Sequence, residues 1–270
     1  MDHPITAEQI WHILPPALTQ NNSSWVYGVD GKWLGRSGVF LIHRDVTHKQ
    51  NLYWSLVSSE SYEALSHDVS ALAFLIDTHR PLGAVSDWKG AIRMAVASHF
   101  GSIPHQRCLV HVEHQVKRLC PKRSPFPATR ELRFLATKLL MIRTNGERDI
   151  WLSLMCRWQD EYGVMLTEKT KTIIGGKRRW WYTHGNLRRG WRILTYDQKP
   201  FFLFLDYPTI PSTNNALEGV NSQIKDKLGD HRGLTRTRQA AFLSWYMAFT
   251  RTKTQQELKR LWDTWRKAFS

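Results

Sequence analysis

Three short β-rich segments in quick succession constrain the fold of this chain more than any other feature. Trp25 to Val29, Val39 to His43 and Leu52 to Val57 are dominated by β-branched, aromatic and other apolar residues, and polar or glycine positions separate them. A meander of three antiparallel strands is the economical arrangement, with Asp30-Gly31 supplying turn chemistry after the first. From Ser61 to Thr78 the spacing becomes helical, with Leu65, Val69, Leu72 and Leu75 on one side. Ala84-Val85 reads as a short buried strand leading into Ser86-Asp87. A helix follows from Lys89 to His99, then a strand from Gln106 to Val110 and a helix from His111 to Leu119. Three strands followed by helix–strand–helix–strand–helix predict an α/β domain, a mixed sheet with helices packed on its faces.

The pattern breaks at Pro121, Pro125 and Pro127. Beyond them, Arg130 to Met141 and Asp149 to Tyr162 are helical with no strand between. Asn215 to Leu228, Arg238 to Arg251 and Gln255 to Phe269 are helical again. The expected organisation is a short lead and polar linker over 1–24, the first part of the α/β domain over 25–119, an all-helical insertion over 120–208, and closing helices over 209–270.

A hydrophobic content of 42% sustains a core, which argues against wholesale disorder. The 38 Lys and Arg outnumber 23 Asp and Glu, giving a net charge of +15, and such an excess favours a polyanionic partner. Most of the thirteen tryptophans are expected to be core anchors. Cys108, Cys120 and Cys156 are too few and too scattered for a disulfide framework, which fits a reducing compartment. No apolar run approaches the roughly 18 residues of a membrane span, and the first residues lack the build of a signal peptide. A soluble, cytoplasmic protein is expected, associated with the nucleoid if bacterial.

Asp30 and Asp87 each follow an apolar strand, and Glu218 lies in a helical segment after Thr213-Asn214-Asn215. Taken singly, Asp30 reads as a turn former, Asp87 as a helix N-cap and Glu218 as a solvated helix residue. Taken together, and if their two strands are neighbours in the sheet, the two acids converge on one edge, where ligands commonly gather. A helix over that edge would add the third. Three carboxylates without a His or Cys cluster make a hard oxygen site suited to Mg²⁺ or Mn²⁺. Two such ions about 3.5–4 Å apart can activate a hydroxyl and stabilise the leaving oxygen of a phosphodiester.

Ser86-Asp87-Trp88-Lys89-Gly90-Ala91-Ile92, followed by Gln106-Arg107-Cys108-Leu109-Val110-His111, resembles the second-acid block of the Mutator-like transposases, which include the bacterial IS256-type enzymes. Asp30 after its strand resembles the first acid of that family, and Ser59-Glu60-Ser61 before a helix is similar to its connecting segment. Thr213-Asn214-Asn215-Ala216-Leu217-Glu218-Gly219-Val220-Asn221, with Lys225 beyond, resembles the third-acid helix. The similarity covers roughly residues 25–119 and 212–250.

The resemblance implies an RNase H-like core split by a helical insertion, and DNA strand cleavage and strand transfer with divalent metal, Mg²⁺ or Mn²⁺. It makes Asp30, Asp87 and Glu218 the catalytic, metal-binding acids, with Cys108, His111 and Asn215 supporting the site. A Cys-x-x-His pair offers only two of the four ligands zinc takes, so a zinc site is not expected there. The partners implied are double-stranded DNA, as element ends and target, and a second copy of the chain on that DNA. Members of the family usually carry a DNA-binding region before the core, and only about 24 residues precede the first strand here. A transposase-derived or truncated DNA-binding protein is therefore an alternative, and an RNase H-like nuclease is another.

The basic stretch from Glu168 to Lys199 is the candidate DNA surface. It includes Lys177, Arg178, Arg179, Arg188, Arg189 and Arg192, and Lys225 adds a cation on the third-acid helix. Trp180, Trp181 and Trp191 stand among these charges, suited either to base stacking or to packing inward against Trp151 and Trp158.

Overall fold

The computed structural model describes residues 4–16, 24–77, 79–175, 177–231 and 233–269. Most of the polar run read as a linker, and Thr78 at the expected end of a helix, lie outside the described residues. The chain divides into two compact units. The first comprises Met1–His105 and Asn214–Ser270, and the second Gln106–Thr213.

In the first unit, helix α1 (Ala7–Ile13) starts from a capping box in which Thr6 accepts from the Gln9 backbone and the Gln9 side chain accepts from Thr6. The sheet contains β1 (Val26–Trp33), β2 (Val39–Asp45), β3 (Gln50–Val57), β4 (Gly83–Ser86) and β5 (His105–Arg107), in the order β3-β2-β1-β4-β5. β1, β2 and β3 form the expected antiparallel meander, and β4 adds to β1 in parallel. Helices α2 (Tyr62–Ile76) and α3 (Gly90–Phe100) join strands of this sheet. The result is an α/β mixed sheet flanked by helices, compatible with an RNase H-like fold.

The first strand is longer than its apolar run. β1 pairs with β2 from Tyr27 opposite Asp45 to Trp33 opposite Val39, so Asp30-Gly31 lies within the ladder and makes no turn. The reversal comes at 34–38, where Gly38 has φ 104° and a Cβ would fall 2.1 Å from the Val57 carbonyl oxygen. That left-handed conformation and that close approach both require glycine.

Tyr27 meets Phe100 of α3 edge-on at 5.2 Å, and Leu65, Val69 and Leu72 of α2 are fully buried. Burial of each such leucine stabilises the fold by roughly 2 kcal/mol. Below them Tyr27 bonds His43 Nδ1 at 2.7 Å, and His43 Nε2 meets Asp68 Oδ2 at 3.2 Å. Burial disfavours the Asp68 charge, but the bonds from His43 and Ser55 outweigh it and hold the carboxyl below its ordinary range.

The second unit comprises α4 (Leu109–Leu119), α5 (Pro127–Leu139), α6 (Asn145–Tyr162), a hairpin of β6 (Lys169–Ile174) and β7 (Lys177–Tyr182), and α7 (Gly185–Thr195). It is therefore mainly helical and not all-helical. The β-branched Thr170, Thr172, Ile173 and Ile174 face Lys177 to Trp181, and Gly175 at φ 55° serves the turn. This unit also begins before the proline break, because Val112 and Val116 of α4 share its core with Leu132, Leu135 and Leu194. Trp151 and Trp158 anchor that core, donating to the carbonyls of Leu135 and Ala128 at 2.9 and 3.0 Å.

Helices α8 (Asn215–Asp230), α9 (Arg236–Thr250) and α10 (Gln255–Phe269) return to the first unit. Among the described residues, no helix is long and apolar enough to cross a membrane.

Candidate active site

Asp30 and Asp87 come together through strand register. β4 pairs with β1 as Val26 with Gly83, Tyr27 with Ala84 and Gly28 with Val85. Continued by two residues, that register sets Asp30 level with Asp87, one strand spacing of about 4.8 Å away. Both side chains are largely buried, at 8% and 9% exposure.

The backbone after β4 fixes the Asp87 carboxylate. Trp88 has φ 70°, a conformation that costs a bulky residue roughly 1–3 kcal/mol. It turns the chain so that the Lys89 amide donates to Asp87 Oδ1 at 3.1 Å. Lys89, not Asp87, is the N-cap of α3, so Asp87 is not spent on capping. Behind it, Ser86 Oγ bonds His105 Nε2 at 2.8 Å, and the His105 ring meets Trp88 edge-on at 5.0 Å. Loss of hydration, helped by the nearby Arg93 charge and opposed by Asp87, lowers the His105 pKa to about 4.

Asp30 is held from α8. Asn221 Nδ2 donates to Asp30 Oδ2 at 2.7 Å, and Asn214 Nδ2 donates to the Val29 carbonyl at 3.3 Å. Gly28 permits this approach, since a Cβ there would lie 2.6 Å from Val46 Cγ2 and 3.0 Å from Asn214 Oδ1. Glu218 lies four residues after Asn214 and three before Asn221, so helical geometry sets it on the stripe of α8 that meets β1. It is half-buried. Lys225 is one turn beyond Asn221 and exposed. Asn215 is also exposed, and the side chains that reach β1 from this helix are those of Asn214, which is fully buried, and Asn221. Consecutive helix positions point about 100° apart, and the sequence pair Asn214-Asn215 alone does not say which one turns inward.

A further carboxylate joins the site. Lys89 Nζ is ion-paired with Glu60 and, at 3.0 Å, with Asp87 Oδ2. Glu60 has a side-chain exposure of 7%, and its Oε1 is buried with no hydrogen-bond partner. Gly31 makes room for it, because a Cβ there would fall 1.9 Å from that oxygen. Burial works against the Lys89 charge, but the Glu60 bond and the Asp87 charge outweigh it, and its pKa lies above the ordinary lysine range. The sequence placed Glu60 only in a connecting segment. Its one legible signal was an acid just before the Ser61 cap of α2.

Hard oxygen donors are thus gathered beside the middle of β1 and the end of β4, and the unpartnered Glu60 oxygen fits a divalent cation. Among the described residues, however, no group of three His, Cys, Asp or Glu side chains is arranged so that it could hold a metal ion. Asn221 and Lys89 instead satisfy Asp30 and Asp87.

Cys108 and His111 belong to the second unit, where Cys108 is buried at the N-cap of α4 and His111 is half-buried in its first turn. The expected DNA-contact residues also fall there, apart from Lys225. Lys177, Arg178 and Arg179 are exposed on β7, and so are Trp180 and Trp181 beside them. Lys169 lies 4.4 Å over the Trp180 ring. Trp191 behaves differently and stacks on Trp158 at 4.6 Å. Arg189 and Arg192 are exposed on α7. Arg188 is engaged within the unit, donating to the Leu166 carbonyl at 3.0 Å and covering the Tyr182 ring.

No family model matches the chain, and no curated protein matches it either.

Proposed function

We propose that the first unit is the core of a DDE-type transposase, which cuts a DNA strand and joins the freed 3′ hydroxyl to target DNA. The observation that carries this reading is the parallel pairing of β1 with β4, whose register, carried two residues past the last pair, sets Asp30 level with Asp87, with the Glu218 stripe of α8 tied to β1 through Asn214 and Asn221. Asp30, Asp87 and Glu218 are the residues that would hold Mg²⁺ or Mn²⁺, two ions in the family it resembles. Bound there, the metal supplies an activated hydroxyl and charge neutralisation at the leaving oxygen.

The protein's own groups have separable tasks. Asn221 keeps one oxygen of Asp30 aimed, and the Lys89 amide does the same for Asp87. Glu60 adds negative potential beside them. Lys225, on the same stripe of α8 as Glu218, is a cation suited to a DNA phosphate near the acids.

A second reading, a DNA-binding protein that does not cut, is favoured by one observation. Lys89 already neutralises Asp87 and Glu60. A nicking assay on supercoiled DNA with Mn²⁺ separates the two. Metal-dependent nicking by the wild type, lost in Asp87→Asn with DNA binding retained, supports the enzyme. Equal nicking by both proteins, or none by either, removes it. Joined products distinguish strand transfer from simple hydrolysis by an RNase H-like nuclease.

A further inference from the structure

The second unit contains a cleft of about 450 Å³ walled by cations from three elements. Arg118 comes from α4, Arg189 and Arg192 from α7, and Arg107 from the last residue of β5, which already belongs to this unit, with Tyr196 at the rim. Arg189, Arg192 and Tyr196 are spaced three and four residues apart, so they form one stripe along α7 and beyond its end. Among the described residues, no acidic side chain lines the cleft.

The helix packing explains the convergence. Leu187, Gly190 and Leu194 are the buried face of α7. A Cβ at Gly190 would meet Cys120 Sγ at 3.1 Å and Leu132 Cδ2 at 3.3 Å, so glycine lets α7 settle closely on α4 and α5. Arg107 at the base is 8% exposed and lies 5.0 Å over the Phe201 ring, with Nη1 directed at the Ile193 carbonyl at 3.4 Å. Arg118, Arg189 and Arg192 are exposed. Holding such guanidinium groups together costs repulsion, which an anion with several oxygens would relieve through paired N–H donors.

We propose that this cleft binds backbone phosphates of a nucleic-acid strand, with Arg118, Arg189 and Arg192 as the contacting side chains and Arg107 as a fixed charge beneath them. The phosphates would be a second anchor, separate from the exposed β6–β7 hairpin. The choice of nucleic acid rests on the proposed function; the choice of phosphate rests on the cleft alone.

The test is the salt dependence of binding to a short DNA duplex, read by fluorescence anisotropy on the full chain. Arg118→Gln with Arg192→Gln removes two exposed side chains and should reduce the log–log slope by roughly two, at about 0.9 per phosphate contact. Arg118→Lys with Arg192→Lys should restore the slope, because charge is kept while the fork is lost. Matching thermal midpoints verify that all variants are folded. An unchanged slope in the glutamine pair, or a lysine pair as defective as the glutamine pair, overturns the proposal. So does binding of a free nucleoside triphosphate in the cleft without any duplex binding. Nicking by the wild type is scored in parallel. A protein that does not nick, but whose duplex binding depends on the cleft, refutes the enzyme and keeps the cleft. A protein that nicks, and whose duplex binding ignores the cleft, does the reverse.

Discussion

Asn221 on α8 donates its side-chain amide to Asp30 on β1 at 2.7 Å, closing a contact between residues 191 positions apart in the chain. A hydrogen bond to a charged acceptor contributes about 1.5–3 kcal/mol, so this bond holds the carboxylate and, with the Asn214 bond to the Val29 carbonyl, the helix against the sheet. Asn221→Ala should lower stability by about 2 kcal/mol on that basis, measured by urea unfolding at pH 7. Asn221→Asp should cost more at pH 7, because two carboxylates then face each other, and should recover part of the loss below the carboxylate pKa range. An alanine variant as stable as the wild type would show that α8 is held elsewhere.

Close approach at β1 gives the next expectation. Gly28→Ala drives a Cβ to within 2.6 Å of Val46 Cγ2 and 3.0 Å of Asn214 Oδ1. Overpacking of this kind costs about 1–3 kcal/mol. Denaturant midpoints should fall accordingly, and amide protection at the start of α8 should fall with them. A neutral substitution would mean that Val46 and Asn214 can both withdraw freely.

Much of this was legible in the chain. Short β-rich apolar runs separated by polar or glycine positions, and a helical stripe at Leu65, Val69 and Leu72, are local patterns, and they led to the meander and to the helices beside it. The two aspartates were legible as acids after apolar runs. Their pairing was not, because the register of β4 on β1 depends on contacts between residues 57 positions apart. The extension of β1 through Asp30-Gly31 was hidden for a different reason: a turn-forming dipeptide stays in a strand when a partner strand pairs along its whole length and a carboxylate needs the space above the glycine. Glu60 and Asn221 were missed as site residues because single polar side chains carry no periodic signal.

Lys89 lies where a cation at Asp87 would have to compete. Its ammonium is ion-paired with Glu60 and Asp87, and like charges exclude one another at such range. Lys89→Gln should therefore reduce the Mn²⁺ concentration needed for half-maximal nicking, and tighten Mn²⁺ binding followed by calorimetry without DNA. A weaker metal response in the variant would instead assign Lys89 to holding DNA or the carboxylates in place.

His105 should make stability fall with acid in a defined window. Its pKa in the folded protein is about 4, against about 6.5 for an unperturbed histidine. Above the upper value neither state binds the proton, so the group has no effect. As pH falls below it, the unfolded chain takes up a proton that the folded chain refuses, and stability declines until the folded pKa is reached. The full loss amounts to about 3 kcal/mol. Asp68 also weakens the fold in acid, but its carboxyl lies below its ordinary value of 3.8, so its loss comes at lower pH. His105→Gln keeps a polar side chain near Ser86 and removes the titration. The difference in unfolding free energy between wild type and variant should therefore narrow between pH 7 and pH 4. Arg93→Ala, which removes the neighbouring cation that helps depress the His105 pKa, should give an intermediate pH dependence. Parallel pH profiles in wild type and His105→Gln would show that His105 is protonated in the folded protein as readily as in the unfolded chain.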